Sequence, residues 1–225
     1  MTDDVDRDDR PPGRRQTPAD QATVRRSNLG LVLRHLRDHG PRSRARIAQE
    51  TGLNKATVSS LVAELTDRGL VSAGELHRGG TAGRPGLIVH LDGATVCGVG
   101  VELNVDYAAV LVLDLTGTVL HEEREPLDVP VLGFERTLDE VARLVAVAIE
   151  AVGAQGASPA GVTLAVPGLV NSGAGIVSVA PNIGWHDEPV LAGLKQRLDV
   201  GCPVRVENDA NLSALAEWAM GSEAR

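Results

Sequence analysis

Three stretches of the chain hold side chains whose types and spacing suit chemistry. The first is Ser43-Arg-Ala-Arg-Ile-Ala-Gln-Glu-Thr-Gly-Leu-Asn-Lys-Ala-Thr-Val-Ser-Ser-Leu-Val62, which spells two short helices around a Gly-containing turn. This is the helix-turn-helix arrangement, whose second helix reads DNA. Outward on that helix stand Lys55, Ala56, Thr57, Ser59, Ser60 and Ala63. They are short enough to admit helix backbone to a major groove and polar enough to reach base edges. Asn54 heads the helix as its cap and joins the DNA-facing set. Arg44 and Arg46, with Arg25, Arg26 and Arg42, can contact phosphates. The second stretch, His77 to Pro85, interleaves Gly79, Gly80 and Gly83 with Arg78 and Arg84. Its glycines permit close backbone approach, and its arginines can reach a phosphate or a narrow minor groove. The third is Asn208-Asp209, which follows an apolar strand and opens a helix. A carboxylate and an amide there can face a cleft together, with the Asp accepting from a hydroxyl or acting as a base. From the residues alone, however, capping of its own helix by Asp209 is the leading reading.

The elements that must hold these groups follow from hydrophobic spacing. A helix is predicted over Gln21 to His39 on the stripe Leu29, Val32, Leu33 and Leu36, stopped by Gly40-Pro41. Ser43 caps a second helix that ends at Gly52, and Asn54 a third that runs to about Arg68. Leu70–Leu76 and Gly86–Leu91 are expected to be strands flanking the Gly-rich tip, which would make that tip the wing of a winged helix-turn-helix. Beyond Asp92-Gly93 the pattern gives strands at Val96–Leu103, Tyr107–Asp114 and Thr118–Glu125, then a long helix from Thr137 to Val152. A strand at Gly161–Val166, a helix at Pro189–Leu198, a strand at Pro203–Glu207 and a helix at Ala210–Met220 complete it. A meander followed by crossovers implies an α/β (α+β overall) layered domain with a mixed sheet. The expected organisation is a disordered tail over 1–20, a winged helix-turn-helix over 21–91 and a second domain over 92–225.

Composition narrows the class. Tyr107, Phe134, Trp185 and Trp218 are the only aromatics, so no stacking ladder for single-stranded nucleic acid is available. Cys97 and Cys202 alone build neither a disulfide framework nor a Cys-rich zinc site. The longest uncharged run, Ala151 to His186, holds seven Gly and three Pro, which excludes a membrane helix. A cytoplasmic protein without a membrane partner is expected. The net charge of −8 divides unevenly: −2 over 1–20, +6 over 21–91 and −12 over 92–225. An acidic chain with one basic segment suggests nucleic-acid contact by that segment only.

The strand–turn–strand unit Gly98 to Leu120 combines with Val166-Pro-Gly-Leu-Val170, Ala180-Pro-Asn-Ile-Gly-Trp185 and Val206-Glu-Asn-Asp-Ala-Asn211. Together these resemble the ROK family of sugar-responsive repressors and sugar kinases. The wing Gly79-Gly80-x-x-Gly83-Arg84-Pro85 is similar to that of its repressors. The resemblance implies an actin-like, ribonuclease-H-like ATPase lobe behind the winged unit. It further implies sugar binding by Asn208 and Asp209 and by the loops of Gly168 and Asn182, with Asp209 matching the kinase base. Trp185 reads as a loop anchor and Glu207 as a solvated strand end.

Two departures qualify the resemblance. Kinases of the family carry an Asp-x-Gly-Gly-Thr phosphate loop, where this chain has Glu102-Leu103-Asn104-Val105-Asp106. The missing glycines and the added charge of Asp106 argue against ATP. No Gly-His loop or Cys-x-Cys-Gly zinc motif is found before Arg225. The expectation is therefore a fragment or a short product with impaired sugar binding and no cofactor. Zinc is expected only if a further half were present. The leading reading is a sugar-responsive repressor, a homodimer with a double-stranded operator and a sugar or sugar phosphate as ligand. The alternatives are a sugar kinase with a DNA-binding extension, and a constitutive DNA-binding protein whose acidic lobe only dimerises.

Overall fold

A computed structural model describes residues 21–74 and 87–220. The expected tail over 1–20 and the wing tip with Arg78 and Arg84 lie outside the described residues. The basic segment folds as α1 (Gln21–His39), β1 (Arg42–Ser43), α2 (Arg44–Thr51), α3 (Lys55–Asp67), β2 (Val71–Gly74) and β3 (Ile88–Leu91). Local chemistry sets the boundaries. The Ser43 hydroxyl accepts from Arg46 N at 3.3 Å, and Gly52 ends α2 in the left-handed region at φ 73°. The helical stripes converge on one cluster: Leu29, Val32 and Leu36 meet Ile47, Val58, Leu61, Val62 and Leu65, with Val71 and Val89 beneath. The three strands form an antiparallel sheet in the order β1-β3-β2, completing a winged helix-turn-helix. β1 was not anticipated; two residues carry no periodicity, and the backbone of Arg42 is placed by pairing with Val89.

A four-residue connection leads to the second cluster, and it is bonded on both sides. Asp92 N donates to Leu70 O at 3.0 Å, and the Thr95 hydroxyl donates to Gly69 O at 2.8 Å. Ser158 N in turn donates to Thr95 O at 2.9 Å.

The acidic segment comprises β4 (Val96–Leu103), β5 (Tyr107–Asp114), β6 (Val119–Pro126), α4 (Val129–Gly153) and β7 (Ser158–Val166). Then follow β8 (Leu169–Asn171), β9 (Ile176–Ala180), β10 (Trp185–Glu188), α5 (Val190–Arg197), β11 (Val204–Asn208) and α6 (Asp209–Met220). The main sheet has the order β11-β7-β4-β5-β6. β4, β5 and β6 are antiparallel, whereas β7 and β11 run parallel to β4, so the sheet is mixed. This is the ribonuclease-H-like core of an actin-like lobe. One face is closed: Val99, Val101, Leu103, Val110, Val112 and Leu164 are buried in a common core with Leu138, Val141, Leu144 and Val145 of α4.

Two expectations need correction. α4 begins at Val129 rather than Thr137. The Asp128 carboxylate caps it at 3.2 Å, and Pro130 sits in the first turn, where a missing N–H costs nothing. Gly133 (φ 73°, ψ 176°) kinks the helix without ending it. Between Gly168 and Glu188, read as loops, β8, β9 and β10 form a small antiparallel sheet in the order β10-β9-β8.

Candidate DNA-facing helix and small-molecule cleft

α3 presents Lys55, Ala56, Ser59, Ser60 and Ala63 as exposed and Thr57 as half-buried. Asn54 Oδ1 accepts from Thr57 N at 2.7 Å, which commits one end of its amide to the cap. Ser60 is not independent: Arg25 Nη2 donates to its hydroxyl at 3.2 Å and pairs with Glu64 at 2.5 Å. Arg25, read as a phosphate contact, is thus held by its own protein. Arg44 Nε is enclosed and has no hydrogen-bond partner among the described residues.

The sequence pattern did not single out Glu50. It accepts from Arg46 Nε at 2.7 Å and Arg42 Nε at 3.3 Å, and shares a hydrogen with His35 Nε2 at 2.7 Å. The Arg46 hydrogen bond, against burial, leads in pulling the Glu50 carboxyl down to about 2, followed by the His35 bond and the charges of Arg46 and Arg42. Its folded value is below the ordinary 4.5, so the folded state binds this proton less readily than the unfolded chain does. The contribution is complete above 4.5 and is lost as pH falls towards about 2. We expect the winged unit to melt progressively earlier across that window, and Glu50→Gln to flatten the dependence in thermal scans.

At the other site, Gly168, Asn208 and Asp209 converge. Asn208 Nδ2 donates to Gly168 O at 2.7 Å and to Asp209 Oδ1 at 3.0 Å, and Ala210 N donates to Asp209 Oδ1 at 2.8 Å. The capping role read for Asp209 belongs to Asn208, whose Oδ1 accepts from Asn211 N at 2.9 Å. Both bonds to the Asp209 carboxylate fall on Oδ1, and Oδ2 has no partner among the described residues. Gly168 (φ 130°) lies so close to β9 that an added Cβ would fall 2.4 Å from Val179 O. Asn182 stands exposed on a 3-10 turn, Pro181–Ile183, with no bond to the other three. Trp185 is buried edge-on to Phe134 at 5.2 Å, an anchor as read. The Glu207 carboxylate accepts from the Ser172 hydroxyl at 2.6 Å instead of facing solvent alone.

Of the four sugar candidates only Asp209 borders the large cleft, about 1100 Å³, along the open face of the main sheet. Glu102, Tyr107, Arg124, Thr163 and Arg205 also line it. Glu102 shares a face with Gly98 and Gly100 by strand alternation, the signal that would have found it. The Tyr107 hydroxyl donates to Glu102 at 2.5 Å, and Arg124 lies 3.7 Å over the Tyr107 ring. In the turn between them, Asn104 N donates to Tyr107 O and Val105 N to Asn104 Oδ1. Those amides are therefore already bonded. Zinc does not fit the residues present: no three His, Cys, Asp or Glu side chains converge among the described residues. Cys97 is buried and burial pushes its thiol pKa up, away from a thiolate ligand. No helix among the described residues is long and apolar enough to cross a membrane.

A ribonuclease-H-like lobe behind a winged helix defines a class, and sequence comparison identifies it. The ROK family profile matches residues 98–225, and the chain belongs to that family. A MarR family profile matches residues 30–84. The xylose repressor of Bacillus subtilis (strain 168) is 32% identical over 206 residues, 91% of this chain and 52% of that protein. The DNA-binding transcriptional dual regulator NagC of Escherichia coli (strain K12) is 29% identical over 216 residues, 92% of this chain and 51% of that protein. The chain thus spans about half the length of the curated relatives it matches. A solved ROK family transcriptional regulator, described as a homolog of E. coli MLC protein, superposes with a TM-score of 0.70 at 23% identity. It covers 90% of this chain and 50% of that one, and shows the shared fold.

Proposed function

We propose that the chain is a sugar-responsive transcriptional repressor in which residues 21–91 bind duplex DNA and residues 92–225 sense the sugar. Lys55, Thr57, Ser59 and Ser60 face base edges, with Asn54, Arg44, Arg46, Arg78 and Arg84 at the backbone. Asp209 takes a sugar hydroxyl through its Oδ2, Asn208 and Gly168 hold it in place, and Asn182 approaches from its own loop. Two copies read two-fold related half-sites, as helix-turn-helix dimers do. The observation that carries this reading is a basic winged helix joined to an acidic ROK lobe, with 91% of the chain aligned to a relative named as a repressor. Catalysis is not part of it: the turn at the kinase phosphate-loop position spends two amides on itself and adds the carboxylate of Asp106.

The test is fluorescence anisotropy of the full chain with labelled duplex DNA across a salt series, with and without xylose or N-acetylglucosamine. Log affinity is expected to fall linearly with log salt, by about 0.9 for each phosphate neutralised. No binding at low salt would sink the DNA assignment. Affinity that neither sugar changes would count against the sensor for those two ligands.

A further inference from the structure

We propose that Glu50 is a positioning residue for DNA binding: it holds Arg42 and Arg46 by one edge so that their free nitrogens meet backbone phosphates. The inference rests on the DNA reading above and adds to it a residue whose charge, taken alone, points the other way. A carboxylate beside a DNA-facing surface should repel phosphate, and a plain surface charge here would weaken binding.

The geometry describes something more specific. Glu50 is reached from three elements, by His35 of α1, Arg42 of β1 and Arg46 of α2. Both arginines use Nε, the inner edge of the guanidinium. For Arg46 both terminal nitrogens are left with no partner among the described residues; for Arg42 one is left, since Nη1 donates to Pro41 O at 3.0 Å. Arg46, fixed through Nε, still presents its terminal fork, the part that bonds an anion end-on, and Arg42 presents a single terminal nitrogen. His35, itself 8% exposed and stacked on His39 at 4.5 Å, holds the carboxylate through a third hydrogen bond. Arg46 and Glu50 also line the open groove of about 800 Å³ between α2 and α3, together with Ser43, Gln49, Asn54 and Lys55. Arg46 and the carboxylate therefore share the helix-turn-helix groove, and Arg42 is held to the same carboxylate from β1. Without it, two long side chains would have to be ordered by the DNA at the moment of binding, at an entropic cost.

The experiment is a salt series of duplex binding by the full chain and by Glu50→Ala and Glu50→Gln, with thermal melts alongside. Positioning predicts that Glu50→Ala binds on the order of tenfold more weakly although it removes a negative charge. Its salt slope should flatten by up to about 2, one for each phosphate that the two arginines cease to neutralise. Glu50→Gln keeps an acceptor and should fall between. Tighter or unchanged binding in either variant overturns the inference. If Glu50→Ala does not fold, the sign of the change in Glu50→Gln decides. A parent that fails to bind at low salt overturns the DNA reading as well, whereas a parent that binds beside a tighter-binding variant overturns this inference alone.

Discussion

Leu65→Ala is expected to abolish duplex binding at raised temperatures where the parent chain still binds. Leu65 is fully buried in α3, in the small cluster that also holds Val32, Leu36, Ile47 and Leu61. Truncating such a leucine removes its transfer energy and leaves a cavity, together costing about 2–5 kcal/mol. A unit of ~70 residues typically holds only about 4–10 kcal/mol in total. The substitution therefore consumes a large share of the stability of the part that carries Lys55 and Ser59. It leaves the core around Leu138 and Leu164 untouched. Differential scanning calorimetry should show the winged-unit transition falling by roughly 10–30 °C, with the ROK transition in place. Unchanged melting would mean that Leu65 does not anchor the cluster.

Gly168→Ala is expected to damage the other end of the chain. At φ 130° an L side chain is strained wherever it points, and here it points at backbone. The new methyl would fall 2.4 Å from Val179 O and 2.8 Å from Ala180 Cβ, atoms fixed by the pairing of β8 with β9. Strain and overpacking together should cost about 2–6 kcal/mol. Moving Gly168 also pulls its carbonyl from Asn208, which orients Asp209. Amide exchange at Val177 to Ala180 should accelerate, and the ROK transition should fall. A variant that retains the parent's exchange pattern would show that β9 yields cheaply.

Strand alternation made the main sheet legible. In β4, Cys97, Val99, Val101 and Leu103 are buried while Gly98, Gly100 and Glu102 face out, so the pattern and the strand share the same limits. The stripes of α1 and α3 were equally plain, because each helix buries one face against the same small cluster. What escaped were β1, a pair of residues, and β8 to β10, short strands set among Gly and Pro turns, whose register is set by partner strands. The α4 start was hidden by Pro130 and Gly133, which usually punctuate helices but here sit where a first turn and a kink accept them. At the sites, residue types were readable and partnerships were not. Arg46 and Glu50 stand four apart on a helix, a visible pair, but His35 and Arg42 reach Glu50 only through the packing of α1 and β1. Arg25 and Ser60 are likewise joined across 35 positions.

The four residues from Asp92 to Thr95 have an electrostatic consequence. A tether of that length spans at most about 14 Å even when fully extended, less than two ~8 Å screening lengths at physiological salt. The block of −12 therefore stays within partial reach of any phosphate met by the block of +6. On the proposed DNA reading, its repulsion would be felt during the encounter and would favour approach with the ROK lobe turned outward. High salt would erase that preference together with the attraction, so orientation and affinity should fade in parallel.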